Sequence, residues 1–245
     1  MKYLFLWLAG PLQSWGADSR FDFRQTSDFP TKSGVFGILL ASSGDSGPQE
    51  LLLERMADAP FTVVTFAGAG ERLMDYHMVG NGYDEKDVWA KLHIPSKRDG
   101  GPAKDGSGNI KSIRTYREYL QQRAFAVFIG LDDDLAEKFA ASLQVPVFTL
   151  YLGRKCCVPS APIFRGVYDS EEAALAALKA FLKEAETREG EPLRPAWIIR
   201  ETADGNDPEA MLLNDVPLRF GINRLYRDRW VVKREFPADL AEASE

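Results

Sequence analysis

Leu4-Phe5-Leu6-Trp7-Leu8 is apolar at every position. A strand with one wet face alternates apolar and polar side chains, so an unbroken run calls for cover on both faces of a sheet. Ala9-Gly10-Pro11 is expected to end this strand, because proline has no N–H to give to the ladder. A polar and aromatic loop follows, with Gln13, Ser14, Trp15, Arg20, Phe21, Phe23 and Arg24. Phe29-Pro30-Thr31-Lys32-Ser33-Gly34 then leads into Val35-Phe36-Gly37-Ile38-Leu39-Leu40-Ala41, read as a helix. Thr31 or Ser33 can cap its first free N–H groups. Such a helix start, with a lysine and hydroxyls beside it, suits a phosphate; it equally suits a plain cap with a solvated lysine.

Further elements follow from the same signals. Residues 49–59 place Leu51, Leu52, Leu53 and Met56 among charges, a short amphipathic helix that Pro60 stops. Phe61-Thr62-Val63-Val64-Thr65-Phe66 is β-branched and aromatic, a second strand. Asp75-Tyr76-His77-Met78-Val79 is extended, and residues 110–120 return as strand-like sequence with Ile113, Tyr116 and Tyr119. Between them, residues 81–111 lack apolar periodicity and are rich in glycine turns, so the two legs read as a long arm with a tip. Ala124-Phe125-Ala126-Val127-Phe128-Ile129-Gly130 is another buried strand. Asp132-Asp133-Asp134 opens a helix carrying Leu135, Phe139 and Leu143, where acids suit the dipole. Phe148-Thr149-Leu150-Tyr151-Leu152 reads as a strand and Gly153-Arg154-Lys155 as a basic turn. From Ser170 onward a helix over 171–186 and strands at Trp197-Ile198-Ile199 and Trp230-Val231-Val232 suggest a small second unit, and the tail after Phe236 reads as frayed.

A chain of 245 residues that is 45% hydrophobic can bury one large domain, or one domain with a smaller companion. Thirty basic against 36 acidic side chains give a net charge of −6, which speaks against coating nucleic acid with the whole surface. The charge is segregated, however. Residues 97–123 hold seven Lys/Arg against three acids, and Arg219, Arg224, Arg227, Arg229, Lys233 and Arg234 form a second basic run. Residues 169–215 carry twelve acids against five bases. Adjacent Cys156 and Cys157 poorly suit a disulfide, and two distant histidines, His77 and His93, offer no zinc spacing. The apolar run after Lys2 is too short for a membrane span and no cleavage pattern follows it. A soluble cytoplasmic protein without metal or cofactor is expected.

Catalytic templates fail: G-x-x-x-x-G-K-[ST], G-x-S-x-G and H-E-x-x-H are all absent. His77, two residues after Asp75, has the chemistry of a general base, but a histidine on an extended leg is better read as a contact or packing residue. Ile113-Arg114-Thr115-Tyr116-Arg117-Glu118-Tyr119 interleaves cations with aromatics. That suits single-stranded RNA, whose phosphates attract the cations and whose bases stack on planar side chains. It also suits a solvated strand face with Tyr119 in the core.

Four stretches carry a resemblance. Leu8-Ala9-Gly10-Pro11-Leu12-Gln13-Ser14-Trp15-Gly16, then Phe29-Pro30-Thr31-Lys32-Ser33-Gly34, then Asp75-Tyr76-His77 with Thr115-Tyr116-Arg117-Glu118-Tyr119-Leu120, and last Tyr151-Leu152-Gly153-Arg154-Lys155-Cys156 occur in the order found in the CasD family. These are subunits of the type I-E CRISPR complex Cascade, within the repeat-associated (RAMP) RNA-binding superfamily. The element order can hold a βαββαβ split motif. The resemblance implies an α+β chain: a ferredoxin-like, RRM-like RAMP domain over residues 1–165, with a β-hairpin thumb inserted at about 75–120. A small acidic α/β unit would cover 166–245. It further implies a non-catalytic subunit that holds the 5′ handle of CRISPR RNA at one end of Cascade. Its partners would be the backbone subunit and the large subunit, with target DNA met only through the complex and no membrane. On these residues, Thr31, Lys32 and Ser33 would hold phosphate, and Gln13 and Trp15 would contact handle bases. Arg114, Tyr116 and Arg117 would line the thumb with His77 opposite and Arg24 and Lys111 nearby, and Arg154 and Lys155 would close the groove. The alternative is a metal-independent repeat-cutting endoribonuclease, as in type I-C relatives, built on His77, Tyr116 and Lys111.

The expected arm tip, residues 97–109, has four glycines, a proline and no apolar side chain larger than Ala103. It cannot offset its ordering entropy by burial on its own. Amide exchange in the free protein should therefore show little protection across the tip; strong protection there would contradict the reading.

Overall fold

The computed structural model describes residues 1–16, 22–68, 70–79, 104, 106, 107, 113–189 and 193–237. Strand β1 (Lys2–Gln13) lies antiparallel to β5 (Ile113–Leu131), with Leu4 opposite Ile129 and Gln13 opposite Leu120. β3 (Phe61–Phe66) flanks β5 on its other side, and β6 (Phe164–Tyr168) flanks β1. β7 (Pro195–Thr202), β9 (Leu225–Glu235) and β8 (Ala210–Arg219) continue the sheet beyond β3, giving the order β6-β1-β5-β3-β7-β9-β8. β2 (Phe23–Arg24) and β4 (Arg72–Val79) pair with the distal part of β5.

The apolar runs dictate the layers. Leu4, Leu6 and Leu8 join Phe125, Val127 and Ile129 on one face, against Phe36 and Leu39 of α1 (Lys32–Ser43) and Phe139 of α3 (Asp133–Gln144). The short α2 (Glu50–Met56) adds Leu53 and Met56. Phe5, Trp7, Ala126 and Phe128 point the other way, onto Ala174, Leu175 and Leu178 of α4 (Glu171–Glu189). Both sheet faces are thus covered, as unbroken apolar strands require. Each large side chain so buried contributes roughly 1.5–3 kcal/mol.

Several expectations need correction. β1 does not stop at Pro11 but runs on to Gln13, whose side-chain amide donates to the carbonyls of Leu8 and Arg123 beside the proline. Residues 148–152 are not a strand. Val147 and Phe148 donate their N–H groups to Ser42 O and Ala41 O, so this segment serves the last carbonyls of α1, which have no partner inside the helix. The strand beside β1 is β6 instead, a short edge whose Arg165 and Gly166 hide its apolar pattern. β8 was not anticipated either. A boundary at 165/166 falls inside β6, and β7 to β9 extend the same sheet through the β3–β7 pair. The tail beyond residue 237 lies outside the described residues.

A closed ion cluster joins the two ends of the sequence. Lys32 is almost fully buried, and its Nζ donates to Ala57 O (2.9 Å), Ala59 O (2.7 Å) and Glu201 Oε1 (2.8 Å). Its backbone N–H donates to Asp215 Oδ2 at 2.7 Å. Arg229 clamps Asp215 with Nε (2.6 Å) and Nη2 (2.9 Å) and reaches Glu201 with Nη1 (2.9 Å). Desolvation lowers the Lys32 pKa, and Glu201 opposes that shift. Replacing Lys32 by methionine keeps the bulk but leaves buried carboxylates short of a cation. Loss of one partner from such a cluster costs about 3–5 kcal/mol, so Lys32→Met should lower unfolding free energy by that much in a denaturant titration, with no RNA present.

Candidate nucleic-acid interface

Three of the stretches that carry the resemblance, and the Glu118-Tyr119-Leu120 end of the other, meet at one junction, the root of the arm. Gln13 and Trp15 are fully buried there, and Trp15 Nε1 donates to Gln13 Oε1 at 3.1 Å. Trp15 lies over the first turn of α1: a Cβ on Gly34 would come within 2.8 Å of its ring. Ser14 N–H donates to Leu152 O, and its hydroxyl donates to Glu118 O. Gly153 (φ +98°) passes so close that a Cβ would sit 1.7 Å from Ser14 O, a conformation and an approach open only to glycine. Arg154 donates to Glu118 O (3.0 Å) and Arg24 O (2.9 Å), and its guanidinium lies 4.7 Å above the Tyr119 ring. Next to it, burial pushes the Cys157 thiol up to about 12.

Beyond the root, β4, β5 and β2 form a three-stranded ribbon. Register places Tyr76 opposite Tyr116, His77 opposite Thr115 and Phe23 beside Tyr116. Side chains alternate between faces, so Tyr76, Tyr116 and Phe23 share one face while His77, Arg117 and Arg24 take the other. Ring geometry agrees: Phe23 stacks on Tyr116 at 4.9 Å and 15°, and Tyr76 packs at 5.5 Å from Tyr116. Phe23 and Tyr76 are each 51% exposed, with exposed Met74 and Met78 alongside. Arg114 is exposed, in register with Met78. Among the described residues no carboxylate pairs with Arg114, Arg117 or Lys155.

The expected site residues therefore divide. Lys32 is corrected: its ammonium is buried and saturated, and Asp215 already occupies the α1 N-terminus. Thr31 is the cap, accepting from Gly34 N at 3.3 Å, and Ser33 is within 3.4 Å of the Thr31 hydroxyl. Gln13 and Trp15 are corrected from base contacts to core, since neither side chain reaches the surface. Arg154 braces the arm root with both terminal nitrogens. Arg24, Arg114, Tyr116, Arg117 and Lys155 reach the surface in whole or part, and His77 is half-buried with Nδ1 lacking a partner among the described residues. Lys111 lies outside the described residues, as does the arm tip apart from Lys104, Gly106 and Ser107. Phe23 and Tyr76 were missed as site residues. Tyr76 could have been found from two-residue alternation along its leg, whereas Phe23 arrives from a segment distant in sequence. The C-terminal arginines are largely engaged within the chain: Arg219 with Glu50, Arg227 with Asp58, Arg229 with Asp215, Arg234 with Asp207.

A family profile described as "CRISPR-associated protein (Cas_Cas5)" matches residues 3–237. This chain belongs to the Cas5 family of CRISPR-associated proteins. The CRISPR system Cascade subunit CasD of Escherichia coli (strain K12) is 29% identical over 186 residues, 72% of this chain and 76% of that protein. A chain from a solved "CRISPR RNA-guided surveillance complex" superposes with a TM-score of 0.66 at 27% identity, covering 97% of this chain and 92% of the other. A second, a "Crystal structure of Cas protein", shares the fold at TM-score 0.59 and 24% identity over 99% and 98% of the two chains. Cas5 membership fits the arm root: the stretches that resembled the CasD family are those the fold brings together. No helix among the described residues is long and apolar enough to cross a membrane.

Gly153 offers a direct test of the root. Gly153→Ala forces a Cβ into Ser14 O at a positive φ. The positive φ alone costs about 1–3 kcal/mol, and the overlap with Ser14 O forces a backbone shift on top of it, so the variant should unfold at lower denaturant. Limited proteolysis should also cut the arm sooner than in wild type; unchanged stability would show that the Ser14–Gly153 contact is not essential.

Proposed function

We propose that this chain holds the repeat-derived 5′ handle of CRISPR RNA and caps one end of a Cascade-type complex. The observation that carries this is the exposed Phe23–Tyr116–Tyr76 cluster with Arg114 on the same ribbon. An exposed aromatic stack is costly in water unless something covers it, and a base is a planar cover that tolerates any sequence. Arg117 and Lys155, on the other face and at the edge of the arm, follow the phosphates in this reading, with Arg24 beside Arg117. In this reading the arm wedges between handle and spacer and displaces one nucleotide. The backbone and large subunits of the complex are the protein partners, target DNA is met only through them, and the site of action is the cytoplasm. The acidic C-terminal elements face protein, because their charge repels phosphate.

The strand order β6-β1-β5-β3, with α1 and α3 on one face, supports a ferredoxin-like RAMP core that ends near Tyr168. The arm is then an insertion between β3 and the proximal half of β5, and α4 with β7–β9 an acidic addition on the β3 edge. Alternation along the ribbon counts against the endoribonuclease alternative, since it sends His77 and Tyr116 to opposite faces of the arm.

Handle-RNA affinity measured against salt separates the roles. Tyr116→Ala should weaken binding by about 1–3 kcal/mol with the salt slope nearly unchanged, the signature of a lost stacked base. Lys155→Ala should flatten the slope by about one counterion. Repeat RNA incubated with the protein in the absence of metal should stay intact. A discrete cut that disappears in His77→Ala would overturn the non-catalytic reading.

A further inference from the structure

α4 covers the middle of the sheet, packing on β6, β1 and β5, and meets β7 where Glu171 accepts from Arg200 Nε at 3.0 Å. Beyond that pair the same face continues over β9 and β8. Register puts Trp230 between Thr202 and Leu212, and Val232 between Arg200 and Ala210. Paired residues share a face, so these side chains lie on the α4 side, while Val231 and Leu213 turn to the α1 core. Leu212 is 52% exposed and Trp230 36%, directly opposite each other on neighbouring strands. The β7–β8 loop, residues 203–209, rests on the indole: a Cβ on Gly205 would lie 2.7 Å from the Trp230 ring. That loop is acidic. Asp204 and Asp207 shape it by accepting from the N–H groups of Asn206 and Glu209. The arginines on this face are already engaged, Arg200 with Glu171 and Arg234 with Asp207. Asp204, Glu209 and Asp228 are exposed and have no cationic partner among the described residues.

An apolar pair beside carboxylates without counter-ions sets the chemistry of what covers it. A helix with one apolar stripe is the usual cover for an open sheet face, as α4 is for the middle strands. Nucleic acid has the wrong sign for this place. A second copy of the chain is also unsuited, because a two-fold contact would set the same carboxylates against each other. We propose that the α4-side face of β7, β9 and β8 docks a basic amphipathic segment of another subunit. Its apolar side chains lie on Trp230 and Leu212, and its Lys or Arg side chains meet Asp204, Glu209 and Asp228 at the rim. The proposal rests on the reading above that the acidic C-terminal elements face protein, and it is independent of RNA binding by the arm.

The test uses the full chain and, as separate titrants, the purified backbone subunit and the purified large subunit of its complex. Calorimetry should show one of them binding the chain, more weakly as salt rises. Leu212→Lys removes an anchor and adds a repelling charge at an exposed position, and should weaken that binding about tenfold. Glu209→Lys leaves the apolar pair intact and should weaken it about threefold while reducing its salt dependence. Leu51→Lys, at an exposed leucine of α2 outside this face, should bind as wild type does. Thermal midpoints near that of wild type separate lost docking from unfolding, and if Leu212→Lys unfolds, Glu209→Lys with its salt series decides alone. Should Leu212→Lys and Glu209→Lys bind both subunits as wild type does, or should Leu51→Lys weaken binding as much, the proposal fails and the protein-facing reading stands. Should wild type bind neither subunit, both fail. Self-association of wild type in sedimentation that Leu212→Lys abolishes would mark the occupant as a second copy and overturn the proposal. Handle-RNA affinity should be unchanged in both variants and lowered in Tyr116→Ala; loss of RNA binding in Leu212→Lys would make this face part of the RNA surface and overturn the proposal as well.

Discussion

A helix whose N-terminus is buried must be given acceptors for its free N–H groups, and here one of them is an anion that organises the molecule. The first N–H of α1 points to Asp215, which comes from β8, more than 180 residues away. Once that carboxylate is inside, it needs a cation beyond the helix dipole, and Arg229 of the neighbouring strand supplies it with two bonds. Glu201 then accepts from both Arg229 and Lys32, and the circle closes. Such a cluster gives little net stability over an apolar packing of the same volume. Its consequence is geometric: α1, β7, β8 and β9 each contribute a group, so the late strands meet the first helix in one arrangement.

β5 answers a second constraint. It is 19 residues long, and its two halves live in different solvents. Phe125, Val127 and Ile129 are covered by helices, whereas Arg114, Tyr116 and Arg117 are on the surface in whole or part. The change occurs at Gln122, a non-glycine residue at φ +47°, opposite Pro11, which cannot donate. Gln13 compensates by bonding across the break, and Arg154 clips the far side to Glu118 and Arg24. The arm is thus a continuation of the central strand, braced at its root, so a group on the ribbon is aimed by the core.

What could be read in the sequence follows from how local its causes are. The unbroken apolar runs of β1 and β5 and the acidic start of α3 are local, and they are found where expected. β6 and β8 were not legible, because an edge strand mixes polar and apolar residues and owes its existence to its neighbour. Residues 148–152 look like a strand, yet Phe148 gives its N–H to Ala41 O at the end of α1 and Leu152 gives its own to Cys157 O, partners that composition cannot reveal. The phosphate seat at Lys32 was right about the physics, since an anion does bind there. It was wrong about the source, because the anion is the protein's own. Gln13 and Trp15 show the same limit: polar and aromatic residues in a loop resemble contacts until the loop is seen to fold inward.

Charge counting misleads for a related reason. By sequence the chain has two basic stretches, and the C-terminal one, with Arg227, Arg229 and Arg234, looks the more compact. In the fold those arginines meet Asp58, Asp215 and Asp207 and present little free positive field. On the described part of the arm Arg114 and Arg117 form no ion pair with a described carboxylate, although Asp75 stands opposite Arg117 in register. In the proposed function, the net negative chain takes RNA at one place while the acidic remainder repels it elsewhere. Pairing within the fold, more than position in the sequence, decides which cations are left without a carboxylate. In the proposed function the aromatic cluster on the same ribbon gives that strand something to stack on, so that attraction and recognition would share one element held by the core strand.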